Sequence, residues 1–266
     1  MRFRRRPSAP LLGLLLAGLL VAPAAAQDRE ALLREFARHG VLVDLERGLI
    51  QLDASICQVY EPLEYLLVIR PRGKDHESLL CVEEVSAEAL NAAILLLGVE
   101  AGQNGRIVPK DPPISREEYE AGVPPYEVLP AAGDGMFLYV FWEETTPGGE
   151  VEQHFHRAED LVLNIRRERT YQRGRWVYLG SRFLRPHPDA EELFAAEATG
   201  NLVSLVYFDP PNHLLTGADP DADNQYIWYP NLYLLPPLGT GVRLLFSRER
   251  LERRPPLLEP PAPAER

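Results

Sequence analysis

Residues 63–80 read LEYLLVIRPRGKDHESLL. Two apolar runs, Leu66-Leu67-Val68-Ile69 and Leu79-Leu80, flank the polar residues Lys74-Asp75-His76-Glu77. How the chain passes from the first run to the second decides the fold. The spacing predicts strands over 64–69 and 77–82, joined as a hairpin with a polar tip. In that tip Asp75 would form an Asx-type turn and Lys74 would stay in solvent. The stretch also comes close to two catalytic motifs and fits neither. A phosphate loop needs Gly at 68 and Ser or Thr at 75, where Val68 and Asp75 stand. A zincin helix needs a second His at 80, where Leu80 stands. In a strand His76 and Ser78 share a face, with Cα atoms roughly 6.5–7 Å apart, so they would need a turn to meet.

Strand patterns continue on both sides. Residues 41–43 and 49–52 flank Arg47-Gly48 as a hairpin, and 55–60 follow as a further strand. Residues 137–143 (FLYVFWE) turn at Gly148-Gly149 toward 151–156, and strands over 176–184, 202–208 and 242–246 complete the pattern. Helical periodicity is confined to short segments. Residues 28–39 form an amphipathic N-terminal helix that stops at Gly40, and 159–165 read as a short helix. Residues 86–97 form a helix capped by Ser86, favoured by Glu88 and closed by Gly98. Its second half is apolar on every side, which predicts burial against a sheet. Six prolines mark 109–130 as a loop or insertion. The expected fold is α+β: predominantly antiparallel sheet, one buried central helix and short peripheral helices.

Residues 1–26 have the form of an export signal: Arg2, Arg4, Arg5 and Arg6, a short apolar stretch over 11–21, then Ala24-Ala25-Ala26. The apolar stretch is shorter than the roughly 20 residues a span needs. Cleavage before Gln27 would leave 240 residues: an N-terminal helix and linker over 27–40, one domain over 41–250, and a proline-rich disordered tail over 251–266. No membrane span is expected in that mature chain. The whole chain carries −11; without the leader's four arginines, 24 basic residues face 39 acidic ones, a net −15. That balance suits neither nucleic acid nor an anionic membrane surface. Cys57 and Cys81 are the two cysteines. Export would place them where disulfides form, and a bridge would close a loop of about 25 residues, contributing on the order of 3 kcal/mol. Sequence leaves the pairing open. Two thiols are too few for a four-thiolate iron–sulfur cluster within one chain.

Three further groups carry chemistry. Glu152, His154 and His156 alternate along a strand and would offer borderline ligands to zinc, or form an ordinary polar face. Asp219, Asp221 and Asp223 alternate like the first half of a calcium loop, but Pro230 stands where a bidentate Glu belongs. A solvated acidic turn fits them as well. Tyr226, Trp228, Tyr229 and Tyr233 would form a stacking face if exposed, or core if buried.

Several of these segments together resemble the YdjY-like domain of exported bacterial proteins: residues 63–80, 91–98 (NAAILLLG), 158–164, 176–181 (WVYLGS), 200–205 (GNLVSL) and 235–242 (LPPLGTGV). The resemblance spans about 41–246 and brings no established activity. It directs attention to Lys74, His76, Glu77 and Ser78, where Lys74 would hold an anionic group and His76 would move a proton. The functional expectation is an exported, non-catalytic domain that binds a small molecule or a protein partner. The alternatives are a hydrolase centred on His76 and a calcium-stabilised structural protein.

Overall fold

The computed structural model describes residues 21–261 apart from 186 and 188. Residues 1–20 of the expected leader and 262–266 of the tail therefore lie outside the described residues. Ten strands form the principal sheet: β1 (Leu42–Asp44), β2 (Leu49–Ile56), β3 (Tyr65–Ile69), β4 (Ser78–Val82), β5 (Gly135–Thr145), β6 (Val151–Arg157), β7 (Trp176–Tyr178), β8 (Asn201–Ser204), β9 (Leu215–Thr216) and β10 (Gly241–Ser247). Eight of them run in the order β2-β10-β5-β7-β9-β8-β3-β4, and β4 pairs back onto β2. The sheet is therefore a closed eight-stranded barrel, with β1 and β6 attached outside the ring. This corrects the expected α+β sheet around a buried helix. The interior is filled by strand side chains, among them Leu52, Ile56, Leu67, Leu80, Leu138, Val140, Leu202 and Leu244.

The segment 70–77 is where the hairpin expectation fails. β3 and β4 are parallel, with Tyr65 opposite Ser78 and Ile69 opposite Val82. Parallel neighbours cannot be joined by a turn, so the eight intervening residues must travel back along the strand pair. They do so outside the barrel. Arg70 N–H bonds to Val82 O at 2.8 Å, Gly73 N–H to Ile69 O at 2.7 Å, and Glu64 N–H to Glu77 O at 2.9 Å. A Cβ on Gly73 would lie 2.5 Å from that of Val68, so the returning backbone rests directly on the outer face of β3. Every residue of β3 and β4 is buried as a result. Leu67 and Leu80 belong to the barrel interior, whereas Val68 and Cys81 pack with Cys57 and Tyr65 in a separate cluster.

α1 (Val21–Arg38) runs through the expected cleavage site and ends, as expected, before Gly40. α2 (Ala87–Leu96) has the expected N-cap: Ser86 Oγ accepts from Ala89 N–H at 3.2 Å. It is not a central helix. Ala87, Leu90, Ala93 and Ile94 face the core, while Leu95 and Leu96 are 51 % and 44 % exposed. α2 lies across the barrel end formed by the last residues of β4 and β7. Tyr178 Oη donates to Asn91 at 2.6 Å, and Glu197 accepts from Ala87 N–H at 2.6 Å. Toward the other end, a three-stranded sheet (Val162–Asn164, Arg169–Thr170 and Trp228–Pro230) packs Trp228 onto Tyr171. Its first strand lies within the segment expected to be helical. Residues 106–129 hold elements as well: paired strands Arg106–Pro109 and Tyr126–Leu129 carry α3 (Arg116–Glu120), which starts in a capping box. The tail is bonded to the barrel at Pro256 and Leu258. Gln51 accepts from Leu258 N–H at 2.9 Å and donates to Leu258 O at 3.2 Å, and Arg47 donates to Pro256 O at 3.2 Å.

Gly200 follows α4 (Ala195–Thr199) with φ +72°, and its added Cβ would sit 2.5 Å from Gly73 N and 2.9 Å from Ile69 O. Gly98 has nearly the same φ, +73°, with open space around it. Alanine in the left-handed region costs about 1–2 kcal/mol by itself. Gly98→Ala should lose about that much in urea unfolding, and Gly200→Ala clearly more. Equal losses would contradict the close packing of the crossover on the barrel.

Candidate functional site

The four residues singled out by sequence lie on the crossover and at the start of β4, and they do not form a catalytic group. Lys74 Nζ donates to Glu64 Oε2 and Glu77 Oε2, both at 2.7 Å. Burial works against the charged ammonium, but these two carboxylates outweigh it and raise Lys74 above the usual lysine range. Burial, reinforced by Glu77, raises Glu64 despite Lys74. Glu77 is lowered, because its bond from Lys74 overcomes its own partial burial. Ser78 is fully buried and donates to Leu80 O at 2.8 Å. The His76 ring is 73 % exposed, with nitrogens 3.8 Å from Asp75 and 3.9 Å from Glu77. No residue from a distant segment is recorded bonded to His76 among the described residues, and the Ser78 hydroxyl is committed to backbone. The geometry gives no nucleophile and base.

The acidic loop is occupied from within. Asp219 and Asp221 are buried. Arg169 bonds Asp219 at 2.6 and 2.9 Å and Asp221 at 3.2 Å. Arg167 reaches Asp221 at 3.2 Å, and Arg166 also bonds it. Burial would raise Asp221, but Arg167 and Arg166 together lower it. A calcium ion would have to displace these guanidinium groups, and the carboxylates serve instead to fasten the 166–169 turn. Asp223 lies beside them on the rim of the same groove.

His154 and His156 lie against Trp142, with ring centroids 4.9 and 5.2 Å away. His154 Nε2 is 3.8 Å from Glu144, too far for a hydrogen bond, and Glu152 pairs in register with Glu144. Burial lowers His156. Among the described residues no group of three or more His, Cys, Asp or Glu is arranged to hold a metal ion. The aromatic group divides: Trp228 is core, while Tyr226 and Tyr233 are 70 % and 94 % exposed.

The residues the structure does bring together are Ser55, Cys57, Arg70, Asp75 and Cys81. Ser55 lies opposite Cys81 across the β2–β4 pairing, and Cys57 follows on the same outer face, its N–H bonded to Leu79 O at 2.8 Å. Both cysteines are buried, free thiols packed in one cluster with Tyr65 and Val68. Ser55 Oγ is 3.3 Å from Cys81 Sγ. Arg70, at the start of the crossover, bonds Asp75 at 3.0 Å and lends its charge to both thiols. The neighbouring Cys57 thiol, then Ser55 and Arg70, lower Cys81 against the effect of burial. The same thiol contact and burial push Cys57 up. Cys81, Ser55 and Arg70 line a cleft of about 600 Å³ walled by Ala37, Leu42 and Pro260. Ser55 and Cys57 alternate along a strand, so their shared face was readable from sequence. Arg70 was not, because its position depends on the parallel crossover.

Comparison with protein-family models, curated proteins and solved structures finds no match to this chain. The likeness to the YdjY-like domain therefore rests on the quoted segments alone.

Two polar sites make pH-dependent expectations. Lys74→Met leaves Glu64 and Glu77 facing each other without a cation. Unfolding at pH 7 should show a loss of about 1–2 kcal/mol. The deficit should shrink as pH falls through the carboxylate range, because protonation relieves the repulsion. A deficit independent of pH would contradict the shared-cation geometry. His213 is wholly buried beside Phe208, and burial holds it down at about 3. The unfolded chain takes up this proton near pH 6.5. The group's contribution is therefore complete above that pH and is lost as pH falls toward the folded value. Urea unfolding from pH 7 to 4 should show a steeper decline for wild type than for His213→Phe.

Proposed function

We propose that this chain is an exported, non-catalytic domain that binds a small organic anion in the cleft on the outer barrel wall. The observation that carries this reading is the cleft itself: about 600 Å³, with the Arg70 cation beside Cys81 and with apolar walls from Ala37, Leu42, Val82 and Val85. A lone cation beside an apolar patch suits a ligand with a single anionic group and an apolar body. The acidic residues Asp53, Glu83 and Glu84, which also line the cleft, select against polyanions. Export remains part of the proposal and is supported by the composition of residues 1–26. Among the described residues no helix is long and apolar enough to cross a membrane.

An anionic apolar dye, 1-anilinonaphthalene-8-sulfonate, tests the reading. Fluorescence titration of the folded protein should saturate at one site per chain. Arg70→Ala, with its fold checked by circular dichroism, should weaken that site at least about fivefold, as expected for a lost charge-assisted contact of about 1 kcal/mol or more. Non-saturating binding, or equal affinity in the variant, would exclude the cleft as the seat.

A further inference from the structure

The barrel closes through a short join. β2 and β4 share two register pairs, Ser55 with Cys81 and Ile56 with Leu80, whereas β2 and β10 share seven. Both cysteines lie at this seam, on its outer face, beneath the crossover that carries Arg70 and Asp75. They are not equivalent. Cys81 forms part of the cleft wall with Ser55 and Arg70, and Cys57 is not among the cleft-lining residues.

We propose that Cys57 and Cys81 are a redox pair at the seam, closed into a disulfide by a peroxide-class oxidant, with Cys81 attacking and Cys57 resolving. The Cys81 thiolate displaces hydroxide from the peroxide oxygen and becomes a sulfenic acid, and the hydroxide takes up the proton that Cys81 released. The Cys57 sulfur then attacks the Cys81 sulfur. The sulfur–oxygen bond breaks, and the hydroxyl leaves with the Cys57 proton as water. Two thiols lose two electrons and two protons, and one peroxide becomes two waters. Arg70 and the Ser55 hydroxyl stabilise the attacking thiolate, whose lowered proton affinity agrees with this assignment. The bond would fasten β2 to β4 and stiffen one wall of the cleft. The inference stands on the seam geometry, independent of any ligand.

The test uses the full chain, reduced and then freed of reductant. Hydrogen peroxide should remove both thiols together, with an intact-mass loss of about 2 Da and no dimer. Peptide mapping should recover Cys57 joined to Cys81, and dithiothreitol should restore both thiols. Thermal unfolding should shift upward by about 5–10 °C on oxidation, as expected for a bridge closing a loop of this size. With dimedone present, Cys57→Ser should accumulate an adduct on Cys81, and Cys81→Ser should keep Cys57 reduced. If a serine variant does not fold, the wild-type map decides alone. Thiols that survive a large molar excess of peroxide, disulfide-linked dimers, or dimedone on Cys57 would each overturn the proposal.

Discussion

Two neighbouring strands that point the same way force the chain between them to return along their length. In this protein β3 and β4 are such a pair, and only eight residues connect them. That leaves room for no more than the single 3₁₀ turn Asp75–Glu77, so the return lies close on the barrel wall. Contact this close requires Gly73 over Val68 and Gly200 against Gly73. It also requires β3 and β4 to be apolar on both faces, one toward the core and one toward the returning chain. Each fully buried Leu or Val there contributes roughly 1.5–3 kcal/mol relative to exposure. The polar residues of the return cannot enter that packing, so they pair with one another, with Glu64 and, for Arg72, with Glu197. The dithiol and Arg70 are held together by the same arrangement.

The charge of the chain is acidic, yet its buried carboxylates are matched locally. Asp219 and Asp221 meet three arginines, and Glu159, also buried, meets Arg157. Breaking one partner of such a group costs far more than the group contributes as a whole, because the remaining charge stays desolvated. These clusters therefore fix the geometry of the loops around the barrel more than they add stability. A metal-like spacing of carboxylates in sequence is equally what a turn pinned by arginines requires. Nothing in the 219–223 stretch alone distinguishes the two, since the arginines lie some fifty residues earlier.

Most strands were legible in the sequence, because alternation or an unbroken apolar run marks them. The caps of α2 were legible as well: Ser86 and Gly98 are chemically specific. Their assembly was not. The hairpin expectation for residues 63–82 treated the polar stretch as a tip, although the unbroken run of residues 65–69 already fitted a strand covered on both sides, the mark of parallel pairing. The apolar composition of α2 predicts burial on every side, but a helix that closes a barrel end keeps one flank in solvent, here Leu95 and Leu96. For the site, residue type pointed to His76, and tertiary structure assembled a group around Cys81 instead. Its members are separated by up to 26 positions and meet only after the barrel has closed.

The position of β10 sets a timetable for the chain. This strand, residues 241–247, lies between β2 and β5, with seven register pairs to the first and five to the second. Until those residues have left the ribosome, β2 and β5 have no common neighbour and the ring is open along its longest edges. The ring therefore closes only after residue 247 has been made. A chain stopped short of residue 241 leaves β2 and β5 each with an unpaired edge, ready to take up a strand from elsewhere.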